Sequence, residues 1–353
     1  MRLVLCLPLA LLLARTACEG LSTSAVPKVL GNLPICIVTG ANSGLGRECV
    51  KTLAATKTHV ILACRDVKAG AAVVEEILEV HPGASLECQI TQHVNTNCCA
   101  PGRSPQKLDL ADFASVRTFA EQAIGDRPVS SIVHNAGVMG APRQLTKDGH
   151  DLTIQVNHLA PFLLTNLLLP NMKAAAKELG RSSRVVVVSS GTHRWGSFEP
   201  DHLYNDKTCG PWQMYANTKL YNILFVSELH RRQGTLGITA VAVRPGLCRT
   251  AITRHSKLLR VLYALLSPIL TPVDQAGQSL AAAVLGPNVE GGTYWNKLLE
   301  VTPSPDARDT AAQRALWEAS LRLCAPKDTR PPRLTPAAQL RRPATTSTDG
   351  SYL

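Results

Sequence analysis

The sequence predicts one doubly wound α/β domain, a parallel β-sheet with helices on both faces, and three observations carry that prediction. Five short runs, ICIVTG, HVILACR, SSIVHNAG, SRVVVVSSG and ITAVAVRPG, are apolar without alternation, as strands buried on both faces of a parallel sheet must be. Segments with helical spacing separate them, and strand–helix alternation folds through right-handed crossovers into a parallel sheet. The residues least explained by packing fall directly after the strands, at the carboxyl edge where such sheets bind ligands.

The chain of 353 residues opens with MRLVLCLPLALLLARTACEG, one Arg, an apolar run and then small residues around Ala17 and Cys18. Residues 1–18 read as a signal peptide or an N-terminal membrane anchor, shorter than the roughly 20 residues of a spanning helix. The expected location is the endoplasmic reticulum membrane or lumen, with secretion as the alternative, since no KDEL-type signal ends the chain. The α/β domain covers 33–323, and the Pro-, Arg- and Thr-rich residues 325–353 read as a disordered tail.

The first strand runs into TGANSGLG, Thr39 to Gly46, and then a helix, GLGRECVKTLAATK. Gly40, Gly44 and Gly46 allow a tight turn in which backbone N–H groups, with Asn42, Ser43 and Leu45 between them, face a diphosphate at the helix N-terminus. The G-x-x-x-G-x-G spacing differs from the commoner G-x-G-x-x-G, so an ordinary Gly-rich turn is the competing reading. The second strand ends ACRD. An acid at this strand end holds the ribose 2′-hydroxyl of NAD, and an Arg accepts the 2′-phosphate of NADP. Cys64 fills the acid's slot and Arg65 follows, which favours NADP(H) over NAD(H), unless the strand runs far enough for Asp66 to be the acid.

After the helix VKAGAAVVEEILEVH, the third strand SLECQI is separated from LDLADFASVRTFA by TQHVNTNCCAPGRSPQK, polar, Cys-rich and aperiodic. This atypical insertion, 90–107, reads either as a surface loop or as the product of a gene-model or splicing error. SSIVHNAG supplies the fourth strand, followed by a long helix through VNHLAPFLLTNLLLP, and SRVVVVSSG supplies the fifth. The next helix holds YANTK, with Tyr215 and Lys219 four apart and therefore on one face. A phenol with a pKa near 10 becomes a useful proton donor when an ammonium lies beside it. ITAVAVRPG is the sixth strand, and the apolar SKLLRVLYALLSPIL, Ser256 to Leu270, reads as a pocket lid, a membrane contact or a plain buried helix.

Taken in order, TGANSGLG, HNAG, VNHLAPFLLTNLLLP, VVVVSSGTH, YANTK and RPG resemble the short-chain dehydrogenase/reductase family, over about 290 residues, and most closely its retinol dehydrogenase-like group. The resemblance implies a Rossmann-type fold and assigns roles. Tyr215 is the general acid/base, Lys219 lowers its pKa and holds the nicotinamide ribose, Ser190 hydrogen-bonds the substrate oxygen, and Asn157 anchors a relay water. Asn135, Ala136 and Gly137 line the cofactor, with His134 in place of a more usual Asn. Asp109 lies by the adenine, and Pro245 and Gly246 shape the nicotinamide pocket. His158, His193 and Trp195 are expected to be packing residues or pocket walls. The implied reaction interconverts a lipophilic alcohol and its carbonyl, retinoid-, steroid- or lipid-like, by a protein that forms a homodimer and associates with membranes.

Composition excludes other classes. The net charge of +11 is scattered, aromatics are 4%, and no zinc-finger, helix-turn-helix or RNP pattern is present, so nucleic acid is not an expected partner. The eleven cysteines are irregularly spaced, several within strand runs, and read as buried thiols. Cys88, His93, Cys98 and Cys99 match no metal-ligand spacing, so no metal is expected. Two alternatives stand: an interaction or signalling protein that keeps the fold without efficient turnover, and a sugar-nucleotide epimerase, whose usual Gly spacing and carboxyl-terminal substrate domain are missing.

Overall fold

In the computed structural model, residues 35–56, 58–88, 107–200, 203, 209–248 and 270–326 are described. The leader, the insertion as far as residue 106, the Ser256–Leu270 segment up to residue 269, and the tail from 327 lie outside the described residues. The eight strands β1 (Ile35–Thr39), β2 (His59–Ala63), β3 (Leu86–Glu87), β4 (Val129–His134), β5 (Ser183–Val188), β6 (Ile238–Arg244), β7 (Thr293–Asn296) and β8 (Leu299–Glu300) form one sheet in the order β3-β2-β1-β4-β5-β6-β7-β8. All neighbours are parallel except β7 and β8, which form an antiparallel hairpin. The order reverses direction between β1 and β4, which opens a crevice at the carboxyl edge between those strands.

The continuous apolar runs have the expected physical cause. Ile35 and Ile37 of β1 pack into one core, with Phe119, Phe162, Leu224 and Trp317, while Cys36 and Val38 pack into the other, with Val50, Leu53, Ile77 and Leu280. Helices α1 (Gly44–Ala54), α2 (Val67–Val80) and α6 (Val273–Leu285) cover the second face. Helices α3 (Phe113–Thr118, prolonged by a π-helical turn Phe119–Ile124), α4 (Leu152–Leu179), α5 (Pro211–Gln233) and α7 (Thr310–Cys324) cover the first. α4 has the length and apolarity of a membrane span, but most of it is buried in the fold, which makes it a core helix. The buried cysteines behave as small apolar side chains; burial raises the Cys36 thiol to about 12. Of the Cys88, His93, Cys98 and Cys99 group only Cys88 is among the described residues.

Among the described residues the third strand is short. β3 pairs with β2 for two residues and is held by Glu87, which takes Arg127 at 2.7 Å and faces His59 at 3.5 Å. On the far side of the insertion the Leu108 N–H donates to Cys64 O at 3.2 Å, beside the end of β2. Cys88 and Leu108, on the two sides of residues 89–106, therefore lie beside the same neighbour, Cys64. Asp109 follows, its Oδ1 accepting from Ala111 N at 3.0 Å and its own N–H donating to Ser115 Oγ.

Candidate active site

The carboxyl edge of the sheet carries the glycine turn after β1, the residues that end β2 and β4, and the Ser190 turn after β5. In the turn after β1, Gly40 and Gly44 have φ of 64° and 55°, the left-handed region that an L side chain rarely enters. Gly46 is needed for closeness instead, since a Cβ there would lie 2.5 Å from both Gly40 O and Asn135 Nδ2. Asn42, Ser43 and Leu45 complete the turn, and Ser43 precedes the first residue of α1 in extended backbone without capping it by its side chain. The first turn of α1 has no acid, so its N–H groups present uncompensated positive potential.

The ends of β1 and β4 are laced together. Thr39 Oγ1 accepts from the N–H groups of Asn135 and Ala136, both at 3.0 Å, and Asn135 Nδ2 donates to Thr39 O at 2.9 Å and Gly40 O at 3.3 Å. The Asn135 side chain thus shapes the glycine turn, and Thr39 is a site-forming residue that only its place before Gly40 could have signalled. His134 packs behind this edge, its Nε2 on Thr165 Oγ1 at 2.7 Å, and burial lowers it to about 3, which keeps it neutral.

At the end of β2, Cys64 is buried while Arg65 is exposed. Asp66 is the N-cap of α2, with Oδ1 accepting from Ala69 N at 3.0 Å, so the strand ends before it and its carboxylate serves the helix.

The chemistry-bearing groups converge between β5 and α5. Lys219 is 3% exposed, donates from Nζ to Val188 O at 2.9 Å and lies 5.4 Å from the centre of the Tyr215 ring. Burial lowers its ammonium to about 8. Ser189 Oγ donates to Lys219 O at 2.8 Å, which pins α5 to the end of β5. Ser190, next in sequence, starts the 3-10 turn Gly191–Trp195, and its Oγ accepts from Thr192 N at 3.2 Å. That bond leaves the hydroxyl proton available for donation outward.

Asn157 lies in a π-helical turn, Gln155–Leu159, inside α4. One extra residue in the helical ladder is a frequent device at functional sites because it re-aims a side chain. Here it aims Asn157 across the crevice: Oδ1 accepts from Val138 N at 2.8 Å, and Nδ2 donates to Val138 O at 2.9 Å and Thr218 Oγ1 at 3.1 Å. The amide is used mainly to hold the loop after β4 against α5, a structural duty that the sequence reading did not include. A Cβ on Gly137 would come 3.2 Å from Asn157 Oδ1 and 3.9 Å from Lys219 Nζ, so glycine keeps this junction open. Pro245 is buried after β6, and Gly246, with φ 99°, approaches Thr271 closely.

Comparison with known proteins agrees with this arrangement. The short chain dehydrogenase family profile matches residues 89–258. Human retinol dehydrogenase 12 is 34% identical over 292 residues, covering 82% of this chain and 85% of the relative. The chain belongs to the short-chain dehydrogenase/reductase family, in its retinol dehydrogenase-like group. The WW domain-containing oxidoreductase of Danio rerio is 36% identical over 310 residues, 84% of this chain and 70% of that one. Among solved structures, a putative uncharacterized protein from Mycobacterium paratuberculosis superposes with a TM-score of 0.62 at 29% identity, covering 83% of this chain and 94% of that chain. Membership supports oxidoreduction of alcohols and carbonyls with a nicotinamide cofactor as the general activity.

His158, whose Nε2 meets Ser320 Oγ at 2.8 Å within a cluster of Phe162, Tyr221 and Phe225, is a packing residue. Trp195, at the end of the turn that Ser190 starts, and Trp212, three residues before Tyr215 on α5, are 73% and 47% exposed, and Gln213 Nε2 donates to Trp195 O. Nothing in the sequence pattern signalled Trp212.

Proposed function

We propose that the protein is an NADP(H)-dependent oxidoreductase that interconverts a lipophilic alcohol and its aldehyde or ketone. The observation that carries the reading is Lys219, buried beneath the Tyr215 ring and tied through Val188 O to the strand end that presents Ser190. A buried ammonium over a phenol stabilises the phenolate, and so lowers the barrier to proton transfer at the Tyr215 oxygen.

The residues present fit a dinucleotide. The turn from Gly40 to Gly46 is packed so closely on Asn135 and Ala136 that Gly46 has no room for a side chain, the α1 N-terminus has no side-chain cap, and Arg65 is exposed at the end of β2. Gly40, Asn42, Ser43, Gly44, Leu45 and Gly46 would hold the diphosphate, and Arg65 the 2′-phosphate. Asp109 would sit by the adenine, with Asn135, Ala136, Gly137, Pro245 and Gly246 along the rest of the cofactor. When bound, the nicotinamide supplies or accepts a hydride. In reduction, Tyr215 gives its proton to the substrate oxygen as negative charge builds there, Ser190 donates a hydrogen bond to the same oxygen, and Lys219 holds the resulting tyrosinate. Asn157 keeps the α4 turn against Thr218 and Lys219, along the route by which a proton returns to Tyr215.

The exposed Trp195 and Trp212 support an apolar substrate, because two tryptophans beside the reacting groups favour a hydrocarbon chain over water. The apolar leader supports attachment to the endoplasmic reticulum membrane, where such substrates partition; fractionation of cells expressing the tagged chain tests the placement.

The test is turnover of retinoid, steroid and aliphatic carbonyls by purified protein with NADPH or NADH, beside Tyr215→Phe. NADPH-linked activity that falls by about 10²-fold or more in the variant is the expected result. Equal turnover by both proteins sinks the reading, and NADPH binding without turnover points to a non-catalytic member of the fold.

A further inference from the structure

We propose that His193 is a positioning residue for Ser190: its Nδ1–H fixes the Ser190 carbonyl and thereby the direction in which the Ser190 hydroxyl is presented to the substrate oxygen. The inference rests on the reading of Ser190 as a hydrogen-bond donor to substrate.

Ser190 is held through its backbone. Its carbonyl accepts from His193 Nδ1 at 2.7 Å and from the His193 N–H at 3.2 Å, with the Tyr294 hydroxyl at 3.4 Å. On the other side of the imidazole, Nε2 lies 3.2 Å from the Ser304 N–H. A backbone N–H can only donate, so Nε2 carries a lone pair, and in a neutral ring the single proton then sits on Nδ1. The geometry therefore selects the tautomer that donates to Ser190.

Other contacts keep that tautomer in place. His193 is fully buried and meets the Tyr294 ring edge-on at 4.9 Å. Burial, then the neighbouring Arg194 and Arg244, hold its pKa below the usual imidazole value, partly opposed by the bond to Ser190. Arg244 Nη1 comes 3.0 Å from where a side chain on Gly191 would begin, so the turn is enclosed from the β6 side as well. A protonated ring would turn Nε2–H against Ser304 N–H and break the arrangement.

The contrast with two other buried histidines separates this from packing. His134 and His158 each place Nε2 on a side-chain hydroxyl and leave Nδ1 without a hydrogen-bond partner. His193 places both nitrogens on backbone groups of segments far apart in sequence, Ser190 in its own turn and Ser304 in the stretch after β8.

The two amide replacements divide the imidazole's functions. Asn sets an amide nitrogen near the position of Nδ1, whereas Gln sets an oxygen near Nε2 and offers Ser190 no donor. In purified protein with NADPH and the best carbonyl substrate, His193→Gln is expected to lower kcat about tenfold or more with the KM for NADPH within about twofold, because small misplacements of a reacting group cost large factors in rate. His193→Asn is expected to keep about a third of kcat or more, at an unfolding midpoint no higher than that of the Gln variant. In a Ser190→Ala background, His193→Gln should cause no further loss, since the group it positions is gone. Undiminished additional loss in that background, or equal loss in the Asn and Gln variants, overturns the role for His193 while leaving the oxidoreductase reading intact. A wild-type protein without turnover on any carbonyl removes both readings.

Discussion

The two ends of the proposed cofactor groove are built to different standards of rigidity. Between β5 and α5 the side chains are buried and held by backbone groups: Lys219 on Val188 O, Ser189 on Lys219 O, Asn157 on both backbone groups of Val138. At the end of β2 and β3 the side chain proposed to discriminate between cofactors, Arg65, is exposed, and the described part of the outer strand is two residues long. The difference teaches where each function tolerates looseness. Proton transfer needs fixed geometry because rate falls steeply with misplacement. Recognition of a dianionic phosphate can rely on a solvated guanidinium, whose attraction is long in range and weakly dependent on orientation.

The largest test of this contrast lies at the rigid end. Lys219→Met should reduce kcat by about 10²-fold or more through loss of support for the Tyr215 proton. It should also leave the cofactor-free fold more stable at neutral pH, because a charged group no longer has to be buried. The pH signature has a definite sign. Lys219 has a folded pKa of about 8 against the ordinary lysine value of 10.5, so the unfolded chain binds more protons between these limits. The unfolding free energy of wild type minus that of Lys219→Met should therefore rise from about pH 8 to pH 10.5 and stay flat below, as read by urea titrations. A flat difference across that window would show that the ammonium is not desolvated.

At the junction of the two halves, Gly46→Ala places a methyl 2.5 Å from Gly40 O and Asn135 Nδ2. Overpacking of this kind costs about 1–3 kcal/mol, and because the strained atoms form the diphosphate turn, NADPH affinity measured by fluorescence titration should fall about tenfold or more. Unchanged affinity would remove the turn from the cofactor site. At the loose end, Arg65→Ala should raise the KM for NADPH about tenfold, leave that for NADH within about twofold and barely change kcat, the pattern of a charge-assisted phosphate contact. Equal effects on both cofactors would assign Arg65 no part in choosing between them. The smallest effect is expected from deleting residues 91–107, with stability and NADPH affinity changed by less than about 1 kcal/mol, since loop closure depends weakly on length.

Strand positions were legible because a parallel sheet buried on both faces demands uninterrupted apolar runs, and the turn after β1 and the Ser pair stood out because they follow those runs, whereas YANTK stood out by its helical spacing. What escaped notice depends on backbone groups or on distance in sequence. Val188 O, which holds Lys219, has no side-chain signature. The π-helical turn of Asn157 is a local change of ladder within an ordinary apolar helix pattern. Thr39 and His193 matter through residues 96 and 111 positions away. The quoted strand runs also end with β6, because β7 is only four residues with mixed burial and the β8 residues are exposed. The end of β2 was open in the sequence, whereas the helix-capping bond of Asp66 places that residue at the start of α2.

The nearness of Cys88 and Leu108 has a consequence for how this chain can vary. Cys88 and Leu108 both abut Cys64, one through its thiol and the other through its N–H, so the excursion begins and ends at one place on the rim of the sheet. An excursion with adjacent ends can be lengthened, shortened or exchanged while the strands beneath keep their register. That rim position is a natural port: a spliced segment, an affinity handle or a whole folded module could be carried there, at the β3 edge of the sheet, with the β5–α5 end left undisturbed.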